Sequence, residues 1–179
     1  MLRTDGEERS RRHTVWLLRV VMPSLEPTIR RSQGADLAAV LALLQGAGLP
    51  TDDLTSAPGL HLWVLEAEES LFGVIGMQRF GAKALLRSLA VAPSYRQRGL
   101  GHQLVARLER DAQVNGVEQL VLLTETAEAF FRAIGYQVID RRYVPEEIQR
   151  SAEFLSLCPA SAHCMTKSLV PPSGDARHG

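Results

Sequence analysis

Apolar residues recur at helical spacing in two segments of the chain, residues 34–48 and 101–116. The positions that share a helix face are Leu37, Val40, Leu41 and Leu44 in the first segment and Leu104, Leu108 and Ala112 in the second. Glycines follow both periodic runs, as is common behind the last turn of a helix. The spacing therefore predicts two amphipathic helices, of which the second is the longer.

Short apolar or alternating runs, bounded by Gly, Pro and acidic residues, predict strands around these helices. They cover residues 26–32, two antiparallel strands within 60–81, then 84–92, 118–125, 136–144 and 163–170, while a short helix and a helical turn cover 127–135 and 145–154. The order β-α-β-β-β-α-β-α-β-β predicts an α/β fold, in which a mixed sheet carries helices on its faces.

The chain has 179 residues, 45% of them hydrophobic, which is enough for one sizeable core. We expect a single domain over residues 27–169, after a disordered leader over 1–26 and before a frayed tail over 170–179. Met22 is an alternative first residue. The formal net charge is zero, so no overall field favours nucleic acid or an anionic membrane as a partner.

The two cysteines, Cys158 and Cys164, are too few for a disulfide framework and favour a reducing compartment. No apolar run reaches the roughly 18 residues that a membrane span needs. No group of residues with metal-ligand spacing stands out either, so no metal site is predicted. We therefore expect a cytoplasmic protein.

The most informative stretch is SYRQRGLGHQL, residues 94–104, which joins the strand at 84–92 to the long helix. Gly99 and Gly101 allow the backbone to turn tightly and to approach a ligand closely. The free N–H groups at the start of a helix, with the positive end of its dipole, favour a phosphate. The spacing alone leaves a plain strand-to-helix turn as an equal alternative.

Neighbouring residues add a family resemblance. LRSLAVAPSYRQRGLG, residues 86–101, resembles the acetyl-coenzyme A (acetyl-CoA) signature of the GNAT N-acetyltransferases, with Arg96, Gly99 and Gly101 at the signature positions. TETAEAFFRAIGY, residues 124–136, resembles their second cofactor segment. AEFLSLCPASAHCMTKSL, residues 152–169, is similar to the arsenic-resistance N-acetyltransferase subfamily. The resemblance covers about residues 27–169.

The resemblance implies a mostly antiparallel sheet of six to seven strands, with helices on both faces, and acetyl-CoA as the donor. The strand at Leu89 would pair with the pantetheine arm, and the Val91 N–H would stabilise the developing oxyanion. The implied cofactor-binding residues are Leu89, Ala90, Val91, Arg96, Gln97, Arg98, Gly99, Leu100, Gly101, Phe130 and Phe131. Leu100 would contact the cofactor through its backbone. For Arg96 and Arg98 the alternative is a solvated position on the surface.

The proton-transfer groups are harder to assign. Phe131 stands where many GNAT enzymes carry a tyrosine as the general acid, and phenylalanine has no proton to give. Glu66 and Glu125 are the candidate catalytic bases, and His61 is a third. For each of them a solvated or edge-strand polar position is the alternative. Deprotonation through water would need none of the three.

Arg87 lies within an otherwise apolar strand, where a charge needs a partner. Strand alternation would put Leu85, Arg87, Leu89 and Val91 on one face. With Ser88 beside it, Arg87 is a candidate anchor for a substrate carboxylate, and the alternative is an intramolecular salt bridge to a glutamate. Cys158 is a candidate substrate-binding residue, because the segment before the last strand borders the acceptor cleft in this fold.

Three functions remain open at this stage. The first is an acyltransferase that transfers the acetyl group of acetyl-CoA directly to a small amine, either amino acid-like or a toxic arsenical. The second is a noncatalytic acyl-CoA-binding module, which the departure at Phe131 permits. The third is a thiol-based arsenical binder that uses Cys158 and Cys164. The resemblance also raises the expectation of a homodimer that forms through sheet edges or C-terminal strands.

Overall fold

The computed structural model describes residues 27–68 and 70–170. The predicted leader over 1–26 and the tail from residue 171 onward lie outside the described residues. The strands are β1 (Thr28–Arg31), β2 (Leu60–Ala67), β3 (Ser70–Phe80), β4 (Lys83–Val91), β5 (Gln119–Thr124), β6 (Gln137–Val138) and β7 (His163–Ser168). The helices are α1 (Leu37–Gly46), α2 (Leu100–Val114), α3 (Glu128–Ala133) and α4 (Glu146–Gln149).

The seven strands form one sheet in the order β1-β2-β3-β4-β5-β7-β6. Strands β4 and β5 run parallel, whereas every other neighbouring pair is antiparallel. The predicted mixed, mostly antiparallel sheet is therefore confirmed. Within the described residues, none of the helices is both long and apolar enough to cross a lipid bilayer.

Helices cover both faces of the sheet because successive side chains of a strand point to opposite sides. On one face α2 packs its buried side chains, such as Leu104 and Leu108, against Trp63 and Ile75. On the other face Val40 and Leu44 of α1 contact Val64 of β2. A smaller apolar cluster under α4 joins Ile148 to Leu85 and Val121, so β4 and β5 are covered on this side as well.

Strand β4 contains a β-bulge at its centre. Val74 of β3 lies opposite Ala90, but Gly76 lies opposite Arg87, so β4 has one extra residue here. Ser88 in the bulge has a φ of 56°, a left-handed conformation that is uncommon for a residue other than glycine. The predicted alternation across β4 is therefore wrong beyond Arg87.

The bulge reverses which side chains of β4 face each helix layer. Leu89 and Val91 contact the α2 core together with Leu86, whereas Ala90 faces α1. Side chains alternate between the two faces of a sheet along a strand, so one extra residue moves every later side chain to the opposite face. The sequence does not reveal the bulge, because Ser88 is an ordinary strand residue in composition.

Strands β4 and β5 pair only over their first halves. The register runs from Lys83 opposite Gln119 to Leu85 opposite Val121, and no further pair follows. Beyond this point the two strands separate, which opens the sheet between the ends of β4 and β5.

The C-terminal third departs from prediction in one element. The strand expected over 136–144 is reduced to the two residues of β6, and a 3-10 turn at Arg141–Tyr143 follows it. The helical turn expected over 145–154 is present as α4 and a π-helical turn at Glu153–Leu157. Strand β7 then returns between β5 and β6.

Candidate active site

Two cavities meet at the end of β4, where the sheet is open. The large cavity, about 720 Å³, is bordered by the α1–β2 loop, the second half of β4, the end of β5 and the segment before β7. The small cavity, about 490 Å³, lies over the loop between β4 and α2. Both are lined by Leu89, Val91, Arg96 and Ala127. The two cavities therefore border each other along β4.

The start of α2 forms one wall of the small cavity. Gly99 precedes the helix with a φ of 73°, and its carbonyl accepts the first helical hydrogen bond, from the Gln103 N–H at 3.1 Å. The N–H groups of Leu100, Gly101 and His102 thus have no acceptor inside the helix. The Leu100 side chain is buried in the core, so this residue offers only its backbone to the loop. These donors and the helix dipole together suit a phosphate.

Two arginines flank this loop. The Arg96 Nε donates a hydrogen bond to the Val91 carbonyl at 2.9 Å, which ties the loop back to the end of β4. The Arg98 guanidinium lies 5.4 Å above the Tyr95 ring, which in turn stacks on Phe72. Both arginine side chains are exposed beside the helix start. The positive charge that a local anion site requires is therefore present, although the chain as a whole is neutral.

Phe130 and Phe131 take different places. Phe130 lines the small cavity, and its ring packs edge-on against His102 with centroids 4.7 Å apart. Phe131 lines the large cavity and is otherwise buried against Tyr136. The Tyr136 hydroxyl is buried and is not among the lining residues, and burial raises its pKa above the ordinary value. Tyr136 therefore does not replace the missing tyrosine as a proton donor.

A buried charged cluster, formed by Arg87, Asp53 and Glu153, lies at the large cavity. The Arg87 side chain is only 1% exposed. Its Nη1 and Nη2 donate to the two carboxylate oxygens of Asp53 at 2.5 and 2.6 Å, and Nη2 lies 2.8 Å from Glu153 Oε2. The predicted intramolecular partner is thus present. Arg87 lines the cavity with its terminal nitrogens already bound, so it does not offer the free guanidinium that a substrate carboxylate would need.

The two cysteines lie in different surroundings. Cys158 lines the large cavity and donates a hydrogen bond from Sγ to Glu153 Oε1 at 3.4 Å, whereas Cys164 is buried in the apolar cluster under α4. Burial and the charge of Glu153 raise the pKa of Cys158 to about 12. Burial raises the pKa of Cys164 to about 11. Both thiols are protonated near pH 7 and are weak ligands in that form.

The model of the acetyltransferase (GNAT) domain family matches residues 58–138, which include β2 to β6 and the loop at the start of α2. Over these residues the chain is similar to GNAT acetyltransferase domains. The prediction of an acyltransferase is confirmed at this level. The match does not reach the C-terminal segment on which the arsenic-resistance resemblance rests, and that subfamily stays a prediction.

Similar proteins support the GNAT domain. An uncharacterized N-acetyltransferase of Chlorobaculum tepidum is 28% identical over 156 residues, which are 83% of this chain and 98% of that protein. The N-acetylglutamate synthase from Neisseria gonorrhoeae, solved with coenzyme A and N-acetyl-glutamate, is 21% identical with a TM-score of 0.68. The alignment covers 81% of this chain but 35% of the synthase. Rv2747 from Mycobacterium tuberculosis, solved with CoA, is 24% identical with a TM-score of 0.67 over 80% of this chain and 99% of that one.

Two of the three predicted base candidates lie away from the cavities of the GNAT domain. The Glu66 carboxylate binds the Arg30 guanidinium at 2.8 and 2.6 Å near the β1 edge, and it lines neither cavity. His61 is exposed on β2 and borders a separate shallow depression. Strand β3 separates β2 from the open end of β4 and β5, so the structure does not bring these two residues to the cavities, and their role as bases stays a prediction. Glu125 does line the large cavity, where it is exposed.

Asp53 and Glu153 are the site residues that the sequence analysis missed. Asp53 sits in the α1–β2 loop and Glu153 in the π-helical turn, so both lie outside the two segments that resemble cofactor motifs, residues 86–101 and 124–136. The signal that was available is Arg87 itself, since a cation in an apolar strand requires carboxylates nearby. Only the fold identifies which of the chain's acidic residues these are.

Proposed function

We propose that the protein is an N-acetyltransferase that transfers the acetyl group of acetyl-CoA to the amine of a small molecule. The observation that carries this proposal is the pair of adjoining cavities along β4. One has oriented backbone donors and arginines beside it, and the other has the buried Glu153 carboxylate in its wall. The two sites suit an anionic donor and a cationic amine, and they meet at Val91.

The donor would occupy the small cavity and the gap between β4 and β5. Its pyrophosphate would accept hydrogen bonds from the N–H groups at the start of α2, beside Arg96 and Arg98. The second half of β4, from Leu89 to Val91, would pair with the amide-containing arm, since β5 does not pair with it there. Structures of two similar proteins, the gonococcal synthase and Rv2747, contain coenzyme A, which supports this placement.

The reaction is direct transfer within a ternary complex. The neutral amine nitrogen forms a bond to the thioester carbonyl carbon, and the carbon–sulfur bond breaks. The Val91 N–H would stabilise the negative charge that develops on the carbonyl oxygen. Phe131 cannot protonate the departing sulfur, so this proton comes from the acceptor nitrogen or from water.

An amino acid-like acceptor or a toxic arsenical that carries an amine is our proposal for the substrate. The fold similarity to an N-acetylglutamate synthase supports an amino acid-like molecule, and the C-terminal resemblance supports the arsenical. Cys158 and Ser88 line the large cavity and would contact this acceptor. A thiol-based arsenical binder is disfavoured, because Cys164 is buried and both thiols have raised pKa values.

We also propose that the protein acts in the cytoplasm and forms a homodimer. The two free cysteines support a reducing compartment. The β1 and β6 edges of the sheet are each paired on one side only, and they offer surfaces for pairing with a second copy. Sedimentation equilibrium of the purified protein tests the dimer, and a monomeric mass at micromolar concentration would contradict it.

Thiol release from acetyl-CoA tests the function. The acceptors are L-glutamate, L-alanine, L-lysine, propylamine and a methylarsenical analogue of glutamate, and calorimetry of coenzyme A is run in parallel. Turnover with any of these amines establishes the enzyme and ranks the acceptor class. Tight coenzyme A binding without turnover across a broad amine panel would instead support the noncatalytic binding module.

A further inference from the structure

The Glu153 carboxylate is an unusual feature of the large cavity. Its side chain is 8% exposed and lines the cavity wall. Oε1 accepts the hydrogen bond from Cys158 Sγ, whereas Oε2 accepts no hydrogen bond from any described residue. Buried carboxylate oxygens are normally satisfied by a donor. The Oε2 atom therefore lacks a hydrogen-bond donor, although Arg87 Nη2 lies 2.8 Å from it.

The surroundings of this oxygen are anionic. Arg87 contributes one positive charge, and Asp53 and Glu153 contribute two negative charges, so the charged cluster carries a net charge of −1. Asp53 accepts hydrogen bonds from both Nη1 and Nη2 of Arg87. Glu153 Oε2 lies within ion-pair distance of the same Nη2 but accepts no hydrogen bond from it. An ammonium group would supply both the missing donor and the missing charge.

Other charged groups near Glu153 do not fill this position. Arg141 lies near Cys158, where its charge opposes the rise in the thiol pKa, and its Nη2 donates to the Pro159 and Ala162 carbonyls. The Cys158 thiol is neutral near pH 7 and already donates to Oε1. Burial raises the pKa of Glu153 above its ordinary range, and the charge of Arg87 opposes that rise. A carboxylate with a raised pKa is a better proton acceptor than an exposed one.

We propose that Glu153 binds the ammonium of the acceptor through its carboxylate and accepts its proton, so that it is the general base of acetyl transfer. This inference rests on the proposed function. Arg87 and Asp53 are positioning residues that hold Glu153 at the cavity wall. Glu125 lines the same cavity but is exposed, and its side chain makes no hydrogen bond with the described residues, so its position is less fixed.

The proton balance of this step is complete. Glu153 takes one proton from the ammonium and becomes a neutral carboxylic acid. The freed nitrogen lone pair forms the bond to the thioester carbon, and the carbon–sulfur bond breaks as the electron pair goes to sulfur. The second nitrogen proton passes to that sulfur, which gives the amide and the free thiol. Glu153 then loses its proton to water.

The test compares the wild type with Glu153→Gln, Glu125→Gln and the exposed surface control Glu147→Gln. For each amine that turns over, kcat/KM is measured from pH 5 to 9. Wild-type activity should rise as Glu153 loses its proton. Glu153→Gln should lower kcat/KM at pH 7 by about 10²- to 10⁴-fold and abolish that rise. Glu147→Gln should leave kcat/KM at pH 7 and its rise with pH unchanged. Glu153→Asp should keep part of the rate that Glu153→Gln loses.

Two results separate catalysis from a structural role. A Glu153→Gln enzyme that keeps the wild-type pH profile would overturn the assignment. The same conclusion would follow if Glu125→Gln, and not Glu153→Gln, lost the rise of kcat/KM with pH. Coenzyme A affinity and thermal unfolding of Glu153→Gln serve to confirm that it folds. Failure of the wild type with every amine would overturn the proposed function itself, and the general-base role would be withdrawn with it.

A binding measurement without turnover completes the test. The protein is labelled with ¹³C at its glutamate carboxyl groups, and the Glu153 resonance is assigned by its loss in Glu153→Gln. Methylammonium chloride should shift this resonance in the wild type, whereas methanol, a neutral molecule of similar size, should not. Equal shifts with both compounds, or none with methylammonium, would overturn the proposed ammonium site.

Discussion

At the scale of single residues, Arg87 shows how a buried charge is accommodated in this sheet. Its side chain is almost fully buried, and Asp53 and Glu153 surround it at ion-pair distance. Removing water from three charges costs free energy, which their attraction recovers only while all the partners are present. The cluster is therefore more sensitive to loss of one member than an exposed ion pair is.

We expect Arg87→Met to lower the free energy of unfolding by about 3–5 kcal/mol, because two carboxylates would remain buried without a cation. Urea unfolding at pH 7 measures this change. The matched control is Arg132→Met on α3, whose ion pair with Glu128 is exposed and should contribute at most about 1 kcal/mol. Equal losses in the two variants would contradict a special role for burial.

The need for a partner at position 87 was predictable from the sequence, since an arginine between apolar strand residues is costly when unpaired. The identity of the partners was not predictable. Asp53 is 34 positions away along the chain and Glu153 lies in a different element altogether. Glu66 shows the converse, since its residue type suits a base but its carboxylate binds Arg30 at the edge of the sheet.

At the scale of elements, the loop before α2 depends on one glycine. Gly99 has a φ of 73°, and a Cβ added there would meet no atom within 4 Å. A side chain at this position would thus extend into the open space in front of the helix start. That space is where the proposed pyrophosphate would lie.

We expect Gly99→Glu to weaken coenzyme A binding by about 100-fold or more, because it adds a negative charge beside the phosphate donors. Isothermal titration of coenzyme A measures the affinity. Gly81→Glu is the control, since Gly81 has a similar φ of 62° and equal free space but lies in the β3–β4 turn. Unchanged affinity in Gly99→Glu would remove the phosphate assignment from this loop.

The periodic elements were predictable, and the irregular ones were not. Helix α2 and strand β4 lie within two residues of their predicted bounds, because long apolar repeats leave few alternatives. The bulge at Ser88 is invisible in the sequence, yet it decides that Leu89 and Val91 face α2. Strand β6 is shorter than predicted, since Asp140 caps a 3-10 turn by accepting a hydrogen bond from the Arg142 N–H.

At the scale of the whole molecule, an ionic network fastens the first strand to the rest of the fold. Arg30 of β1 donates to both carboxylate oxygens of Asp36, at 2.7 and 2.9 Å, and it also binds Glu66 of β2. These bonds connect the β1 edge to the turn that starts α1. The Arg30 hydrogen bond and that from the Gln33 N–H lower the pKa of Asp36 to about 2.

This lowered pKa predicts how stability depends on pH. A carboxylate whose pKa is depressed in the folded state stabilises it above its ordinary pKa of about 3.9, and the contribution is lost as the pH falls towards 2. We expect Asp36→Asn to be less stable than the wild type at pH 6 and to lose less stability between pH 5 and 3. Urea unfolding across this range measures both, with the exposed Asp52→Asn as the control. Parallel pH curves for Asp36→Asn and the wild type would contradict the role of Asp36.

The element order, the two apolar helix faces and the loop with its paired glycines follow from the sequence, because they depend on residues close together in the chain. It also carried the motifs by which the GNAT domain is recognised. The folded structure is needed to see which acidic residues line the large cavity, where β4 changes face, and that Cys164 is buried while Cys158 lines the cavity. These features depend on contacts between distant segments, and local patterns of residues do not specify which segments will meet.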